Sequence, residues 1–373
     1  MKPGWETKPF EDCIEPVTYT QKIQRKDFLE DGEYPVISQE AEFINGYWDN
    51  PADVFKLDAP VVIFGDHTKV LKFVDFDFVL GADGVKVLPP KSFLLPKFFF
   101  YQLQTANLES LGYARHYKLL KELTIAYPKL AEQRRIVGIL DEAFEGLATA
   151  KANAEQNLQN ARALFESHLQ AVLRTKKWKW KTLGELCDGV EYGSSAKSKA
   201  EGKVPVLRMG NIQDGKLDWE NLVYTDDNAE IAKYLLKHND VLFNRTNSPE
   251  LVGKSAIYKS EMPAIFAGYL IRIHRKEDLL DGDFLTYFLN SQIALDYGKT
   301  VVISSVNQAN INGAKLKEYP IPAPSISEQR AVVKTMNGLQ EETQRLESLY
   351  QRKLAALDEL KKSLLHRAFS GQL

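Results

Sequence analysis

The chain has 373 residues, of which 44% are hydrophobic and 26% charged, and 48 Lys and Arg against 50 Asp and Glu give a formal charge of −2. That length suggests two or three domains. Two cysteines, Cys13 and Cys187, exclude a disulfide framework and fit a reducing compartment. No apolar run has membrane-spanning length, and Met1-Lys2-Pro3-Gly4-Trp5 opens no signal peptide, so a cytoplasmic protein is expected. The near-neutral balance does not announce a nucleic-acid binder, and any basic face has to be local.

In chain order, Trp5 and Cys13 are followed by Pro35-Val36-Ile37 and by a strand expected over residues 59–64, rich in β-branched residues. A second strand is expected over 84–88, ended by Pro89-Pro90, and a helix over 98–108. Polar loops lie between them: Ser38-Gln39, Gly65-Asp66-His67-Thr68-Lys69 and Arg115-His116-Tyr117-Lys118. A long helix is expected from about Leu130 to about Leu173, and then a basic connector, residues 174–181, carrying Trp178 and Trp180. The connector reads as a linker whose tryptophans pack on the second half of the chain, or as a strip along phosphates. The second half repeats the order. Pro205-Val206-Leu207 precedes Arg208-Met209-Gly210-Asn211, a strand over 240–243 precedes Asn244-Arg245-Thr246-Asn247-Ser248, and a strand over 268–273 precedes a helix over 284–293. Ser304-Ser305-Val306-Asn307-Gln308-Ala309-Asn310 lies before a second long helix, from about Ser327 to about Phe369, with Ser327 as its N-cap.

The repetition is a duplication. Glu132-Gln133-Arg134 recurs as Glu328-Gln329-Arg330, a shift of 196 residues that also aligns Lys121-Glu122 with Lys317-Glu318, Pro128 with Pro324, Ser167 with Ser363 and Leu169 with Leu365. Upstream the match weakens: Val62-Ile63-Phe64 resembles Val241-Leu242-Phe243, and Trp5 with Cys13 resembles Trp180 with Cys187. A kept frame with a diverged front suggests one architecture reading two different things.

Both long helices carry heptad seams. The first has Ile136, Leu140, Ala143, Leu147, Ala150, Ala154, Ala161 and Leu164; the second has Val332, Met336, Leu339, Leu346, Tyr350, Leu357, Leu360 and Leu364. Asn157 and Lys353 break the two seams at equivalent places. A thin seam against a bulky one suits close packing, so the helices are expected to pair; packing of each on its own globular half is the alternative. Each would span on the order of 60 Å at the α-helical rise. Antiparallel pairing relates the halves by a pseudo-two-fold axis, which suits two separated half-sites on DNA. The loop residues supply hydrogen-bonding side chains of the kind that read base edges and phosphates, although solvated loops are polar in any protein.

Enzyme motifs are missing. Gly253-Lys254-Ser255 and Gly298-Lys299-Thr300 lack the first glycine of a phosphate-binding loop, with Ser248 and Ile293 in its place. There is no His-Glu-x-x-His and no cysteine pair at metal spacing. Asn50-Pro51-Ala52 does not complete an amino-methyltransferase motif.

Residues 127–134 and 321–330, a proline step leading into Glu-Gln-Arg, resemble the specificity subunits of type I restriction-modification systems. So do residues 241–246 followed by 252–256, and the ending Leu365-His366-Arg367-Ala368-Phe369-Ser370-Gly371. The resemblance implies an α+β fold with an internal pseudo-two-fold repeat, in which two target-recognition domains, 1–129 and 175–326, are separated by two long antiparallel coiled-coil helices, 130–174 and 327–373. It implies a subunit without catalysis that binds a bipartite double-stranded DNA target and directs methyltransferase subunits, two of them, with a motor-nuclease subunit able to join. S-adenosyl-methionine belongs to the methyltransferase partner, no cofactor to this chain, and the cell is bacterial or archaeal. The DNA-contact candidates are Ser38, Gln39, His67, Thr68, Lys69, Arg115, His116, Tyr117, Arg208, Asn211, Asn244, Arg245, Thr246, Asn247, Ser304, Ser305, Asn307 and Gln308. The candidates for helix or partner packing are Leu140, Leu147, Leu164, Met336, Leu339, Leu346, Tyr350, Leu357 and Leu360. A scaffold that only assembles partners and a stand-alone DNA-modifying enzyme are the competing functions.

Overall fold

The computed structural model describes residues 4–82, 84–110, 112, 114–305 and 308–373. Contacts divide the chain into unit 1, Met1–Glu155 with Arg352–Leu373, and unit 2, Gln156–Gln351.

In unit 1 the strand Val61–Gly65 pairs antiparallel with Leu71–Val74 and with Val85–Leu88. Side chains alternate across a strand. Val61 and Ile63 therefore enter one core with Ile37, Phe78 and Leu80, while Val62 and Phe64 enter another with Phe10, Phe98 and Phe99. Burial on both faces explains the unbroken apolar run that marked this strand in the sequence. Tyr34–Ile37 pairs antiparallel with Gly46–Trp48 and parallel with Phe78–Gly81.

Unit 2 repeats this pattern strand for strand. Val241–Asn244 pairs antiparallel with Ser255–Ile257 and Leu270–Arg275. Val241 and Phe243 face one core and Leu242 another. Val204–Leu207 pairs antiparallel with Val223–Thr225 and parallel with Ile265–Phe266. A closing strand pair also recurs: Glu6–Pro9 with Thr124–Tyr127 in unit 1, and Trp180–Thr182 with Pro320–Pro322 in unit 2. Trp178 and Trp180 pack on Phe284 and Phe288, as the linker reading of the connector expects.

Two short helices differ from expectation. The helix expected over 98–108 is Pro96–Leu103, opened by the proline at its first position. The residues beyond it, Thr105-Ala106-Asn107, no longer continue an apolar stripe. The helix expected over 284–293 is two helices, Gly282–Leu289 capped by Asp281 and Gln292–Val301 capped by Ser291. Asn290 separates them because its side chain bonds the backbone N–H and C=O of Ser255 at 3.0 and 2.8 Å.

The long helices are Leu130–Thr175 and Ile326–Ser370. The second is capped by Ser325, two residues before the expected Ser327: Glu328 accepts from the Ser325 N–H at 3.0 Å and the Ser325 hydroxyl faces the Glu328 N–H, a capping box. Within each unit the helical segments run antiparallel. In unit 1, Arg135 reaches the Leu373 carbonyl and Lys151 pairs with Asp358. In unit 2, Arg162 pairs with Glu347, and Leu169 and Leu173 share a core with Met336.

Both packing alternatives hold, on different turns. Ile136 and Leu140 enter the core of the globule that precedes them, as do Met336, Val332 and Leu339. The last turns enter the globule of the other copy: Leu365, Ala368 and Phe369 in unit 1, Leu169 and Leu173 in unit 2. Ala154 and Ala161 are buried, and Leu147, Leu346, Tyr350 and Leu357 are half-buried. Leu164 and Leu360 depart from the seam and are 46% and 47% exposed.

The triplet that revealed the duplication has a structural task. Gln133 is fully buried; its Oε1 accepts from the Leu95 N–H at 2.8 Å, and its Nε2 donates to the Phe93 and Pro128 carbonyls, both at 2.8 Å. Gln329 is equally buried and accepts from the Asp281 N–H at 2.8 Å, while its Nε2 donates to Leu279 and Pro324 at 2.8 and 2.9 Å. Each glutamine ties the N-cap of a short helix to the proline step that starts a long one. Buried backbone groups need partners, and one amide here satisfies three.

Candidate nucleic-acid interface

In unit 1 the candidate loops converge on Asp66, in the turn between Val61–Gly65 and Leu71–Val74. Asp66 is buried; its carbonyl accepts from the His116 N–H at 2.7 Å and faces His116 Nδ1 at 3.0 Å, and its Oδ1 accepts from the Tyr117 N–H at 2.7 Å. Gln39 Oε1 accepts from the His67 N–H at 3.2 Å, and the Thr68 hydroxyl donates to the Gln39 carbonyl at 2.5 Å. Lys69, in the left-handed region at φ 61, donates to the Leu108 carbonyl at 3.3 Å. Gly84 at φ 92 closes the cluster, since a Cβ there would sit 2.5 Å from Gln39 Oε1. Beside it, Ser38 N–H donates to Asn45 Oδ1 at 2.8 Å, and the buried ammonium of Lys72 donates to the same oxygen at 3.0 Å and to the Phe43 carbonyl at 3.3 Å.

The structure thus brings Ser38, Gln39, His67, Thr68, Lys69, His116 and Tyr117 into one cluster. Two of them cannot contact a ligand as expected: Ser38 and His116 are 3% and 1% exposed. Gln39, His67, Lys69 and Tyr117 are half-exposed, and Thr68 and Arg115 are exposed.

In unit 2 five chain segments meet. Ala267 N–H donates to Leu207 O at 2.9 Å, Gly268 N–H to Ser194 O at 2.7 Å, Arg245 N–H to Tyr269 O at 3.0 Å, and Ile311 N–H to Arg245 O at 2.9 Å. Gly193 permits this crowding, because a Cβ there would lie 2.3 Å from the Phe266 carbonyl. Arg208 is exposed and donates to the Asn221 carbonyl at 2.8 Å. Asn211 is buried and spends its amide on Arg208, Asp218 and Glu220, the role Asn45 has toward Ser38 in unit 1.

Asn211 and two more expected contacts are corrected here by their burial. Asn244 is fully buried with neither amide atom bonded, and Thr246 is buried and receives the Asn310 amide at 2.8 Å. Arg245 is half-buried, donates to Gly268 O at 3.2 Å and to Asn310 Oδ1 at 3.4 Å, and stacks 4.9 Å over Tyr192. These contacts brace the turn. Asn247 is half-exposed and accepts from the Ser248 N–H at 2.9 Å. Ser304, Ser305 and Gln308 lie on the paired strands Ile303–Ser305 and Gln308–Asn310; their side chains, and Asn307 altogether, lie outside the described residues. Sequence reasoning missed Tyr192 and Tyr269, which are 42% and 50% exposed. The only signal was a glycine-aromatic pair beside a strand. Among the described residues no group of three His, Cys, Asp or Glu is placed to hold a metal, and no helix is long and apolar enough to cross a membrane.

These features define a duplicated α+β chain with a loop-built polar surface in each repeat on one conserved frame. The family model described as the type I restriction modification DNA specificity domain matches residues 3–159 and 175–353, and the chain belongs to that family. It is a DNA-specificity subunit, a recognition component rather than a catalytic one. It is 25% identical to the EcoR124I/EcoR124II specificity subunit of Escherichia coli over 84% of this chain and 81% of that one. It is 25% identical to the StySPI specificity subunit of Salmonella potsdam over 99% and 89%, and 28% identical to the putative MjaX specificity subunit of Methanocaldococcus jannaschii over 52% and 45%. In fold it is similar to a chain solved in work on complex assembly and conformational transition of the type I R-M system, with TM-score 0.75, 18% identity and coverage of 100% and 99%. The HsdS subunit from Thermoanaerobacter tengcongensis aligns with TM-score 0.58, 18% identity and coverage of 100% and 98%.

Proposed function

We propose that each unit reads one half of a bipartite duplex target, and that the chain carries two methyltransferase subunits to it. The observation that supports this best is the contrast within the repeat. The glutamine latch, the central strand pairings and the closing strand pair recur in both units, while the loops on that frame differ in sequence. A frame kept under two different loop sets suits two half-sites of different sequence. On this reading residues 1–129 and 175–326 recognise DNA, and 130–174 and 327–373 set the spacer and take the partners. S-adenosyl-methionine is held by the partner, a motor-nuclease subunit can join, and the complex works in bacterial or archaeal cytoplasm.

Specificity comes from base-edge contacts and positioning from phosphate contacts. In unit 1, Gln39 and Thr68 have the side chains suited to bases, and Arg115 and Lys69 those suited to phosphates. The test is methylation by the whole complex. Gln39→Ala with Thr68→Ala alters one half-site, and Arg208→Ala acts only on the other; either variant altering both halves contradicts the assignment. A scaffold enriches no sequence at all, and a stand-alone enzyme modifies DNA without the methyltransferase subunits.

A further inference from the structure

The turn Ala267-Gly268-Tyr269 on the unit 2 surface is held by several neighbouring segments. Its three peptide groups are bonded to Leu207, Ser194 and Arg245, and the Arg245 guanidinium donates again to the Gly268 carbonyl at 3.2 Å. Arg245 is itself fixed, by Asn310 at 3.4 Å and by the Tyr192 ring at 4.9 Å, and the Tyr192 hydroxyl accepts from the Gly313 N–H at 2.7 Å. All this restraint presents one side chain. Tyr269 is 50% exposed, and its ring and hydroxyl make no hydrogen bond or ring contact among the described residues. The chain segments bonded to this turn carry exposed cations: Arg208 follows Leu207, and Lys197 lies three residues past Ser194.

A single exposed aromatic is ordinary on a protein surface. A free one on a fully bonded turn, with cations on the adjoining segments, has the composition of a nucleic-acid contact. A turn held in advance also loses little conformational freedom on binding, and a tyrosine has only two side-chain torsions to fix.

We propose that Tyr269 is a specificity-determining residue of the second recognition unit: its ring contacts a base pair of that half-site, and Arg245 is the positioning residue that holds it there. The proposal rests on the reading of unit 2 as a DNA-recognising unit. It makes Arg245, a DNA-contact candidate from the sequence, the support for a neighbouring contact residue.

The experiment is methylation, by the complete complex with its methyltransferase subunits, of a DNA library randomised across each half-site in turn. Tyr269→Ala loses about tenfold or more of its discrimination at one or two positions of the second half-site, the scale of one lost side-chain contact to a base edge. The first half-site is unchanged. Met262→Ala, which removes a side chain of the same 50% exposure from the loop before Ile265–Phe266, leaves both halves unchanged. Arg245→Ala loses the positions lost by Tyr269→Ala and also lowers the melting temperature, which Tyr269→Ala does not. Unchanged base preferences in Tyr269→Ala, with a selective wild type, overturn the proposal alone. A wild type without preference across the second half-site overturns the reading of unit 2 as well. An equal loss in Met262→Ala, or different positions lost in Arg245→Ala, also contradicts the assignment.

Discussion

Gln133 and Gln329 each satisfy three backbone groups in sites closed to water. Leaving a buried donor or acceptor unpaired is costly, and alanine here strands one donor and two acceptors. Gln133→Ala is expected to destabilise unit 1 by about 2–4 kcal/mol, and Gln329→Ala unit 2 by a similar amount. Hydrogen exchange resolved by residue checks this: protection falls around Leu95 in the first variant and around Asp281 in the second, each sparing the other unit. Lys72 gives a pH signature. Burial pushes its ammonium from 10.5 down to about 8. Between those values the unfolded chain holds a proton that the folded chain has lost, so this group makes stability rise with pH across the window. The melting temperature of the wild type, taken relative to Lys72→Met, should climb from about pH 8 to about pH 10; a flat or falling difference contradicts it. The Glu-Gln-Arg triplet was visible in the sequence, but the task of its glutamine was not, because Phe93 and Leu279 come from far along the chain. For the same reason Arg245 read as a projecting base reader: nothing local announces that Gly268, Asn310 and Tyr192 occupy it.

At the scale of elements, the long helices were legible from their heptads, and their duplication from a single gapless shift. Their ends and partners were less so. Capping decides the ends, and Ser325, not Ser327, has the glutamate three residues on that completes a capping box. The heptad pattern marks an apolar face without saying what covers it; the globules cover the outer turns. Leu164 and Leu360 are equivalent across the 196-residue shift, and both remain exposed. Two equivalent apolar positions suit two copies of one partner. On the proposed reading with two methyltransferase subunits, Leu164→Glu and Leu360→Glu should each remove one of them, measured by native mass spectrometry, and leave the melting temperature unchanged. Loss of both subunits from either single variant contradicts independent docking. The short helices were misjudged because Asn290 ends one by bonding Ser255, a contact with no sequence signal.

At the scale of the whole molecule, a formal charge of −2 is a total that does not describe any local surface, such as the loops that carry Arg115 and Arg208. The central strand pairings recur in the two units although little sequence identity remains upstream of the helices, since alternating burial constrains residue class rather than residue identity. If the helices are the ruler, inserting one heptad in each at equivalent positions lengthens the gap in the target and leaves both half-sites as they were. The most direct test is genome-wide mapping of methylated bases in a host expressing this chain with its methyltransferase subunits. Two short defined sequences separated by a fixed run of unspecified bases is the result the account predicts. Methylation confined to one uninterrupted sequence, or spread without sequence preference, would contradict it.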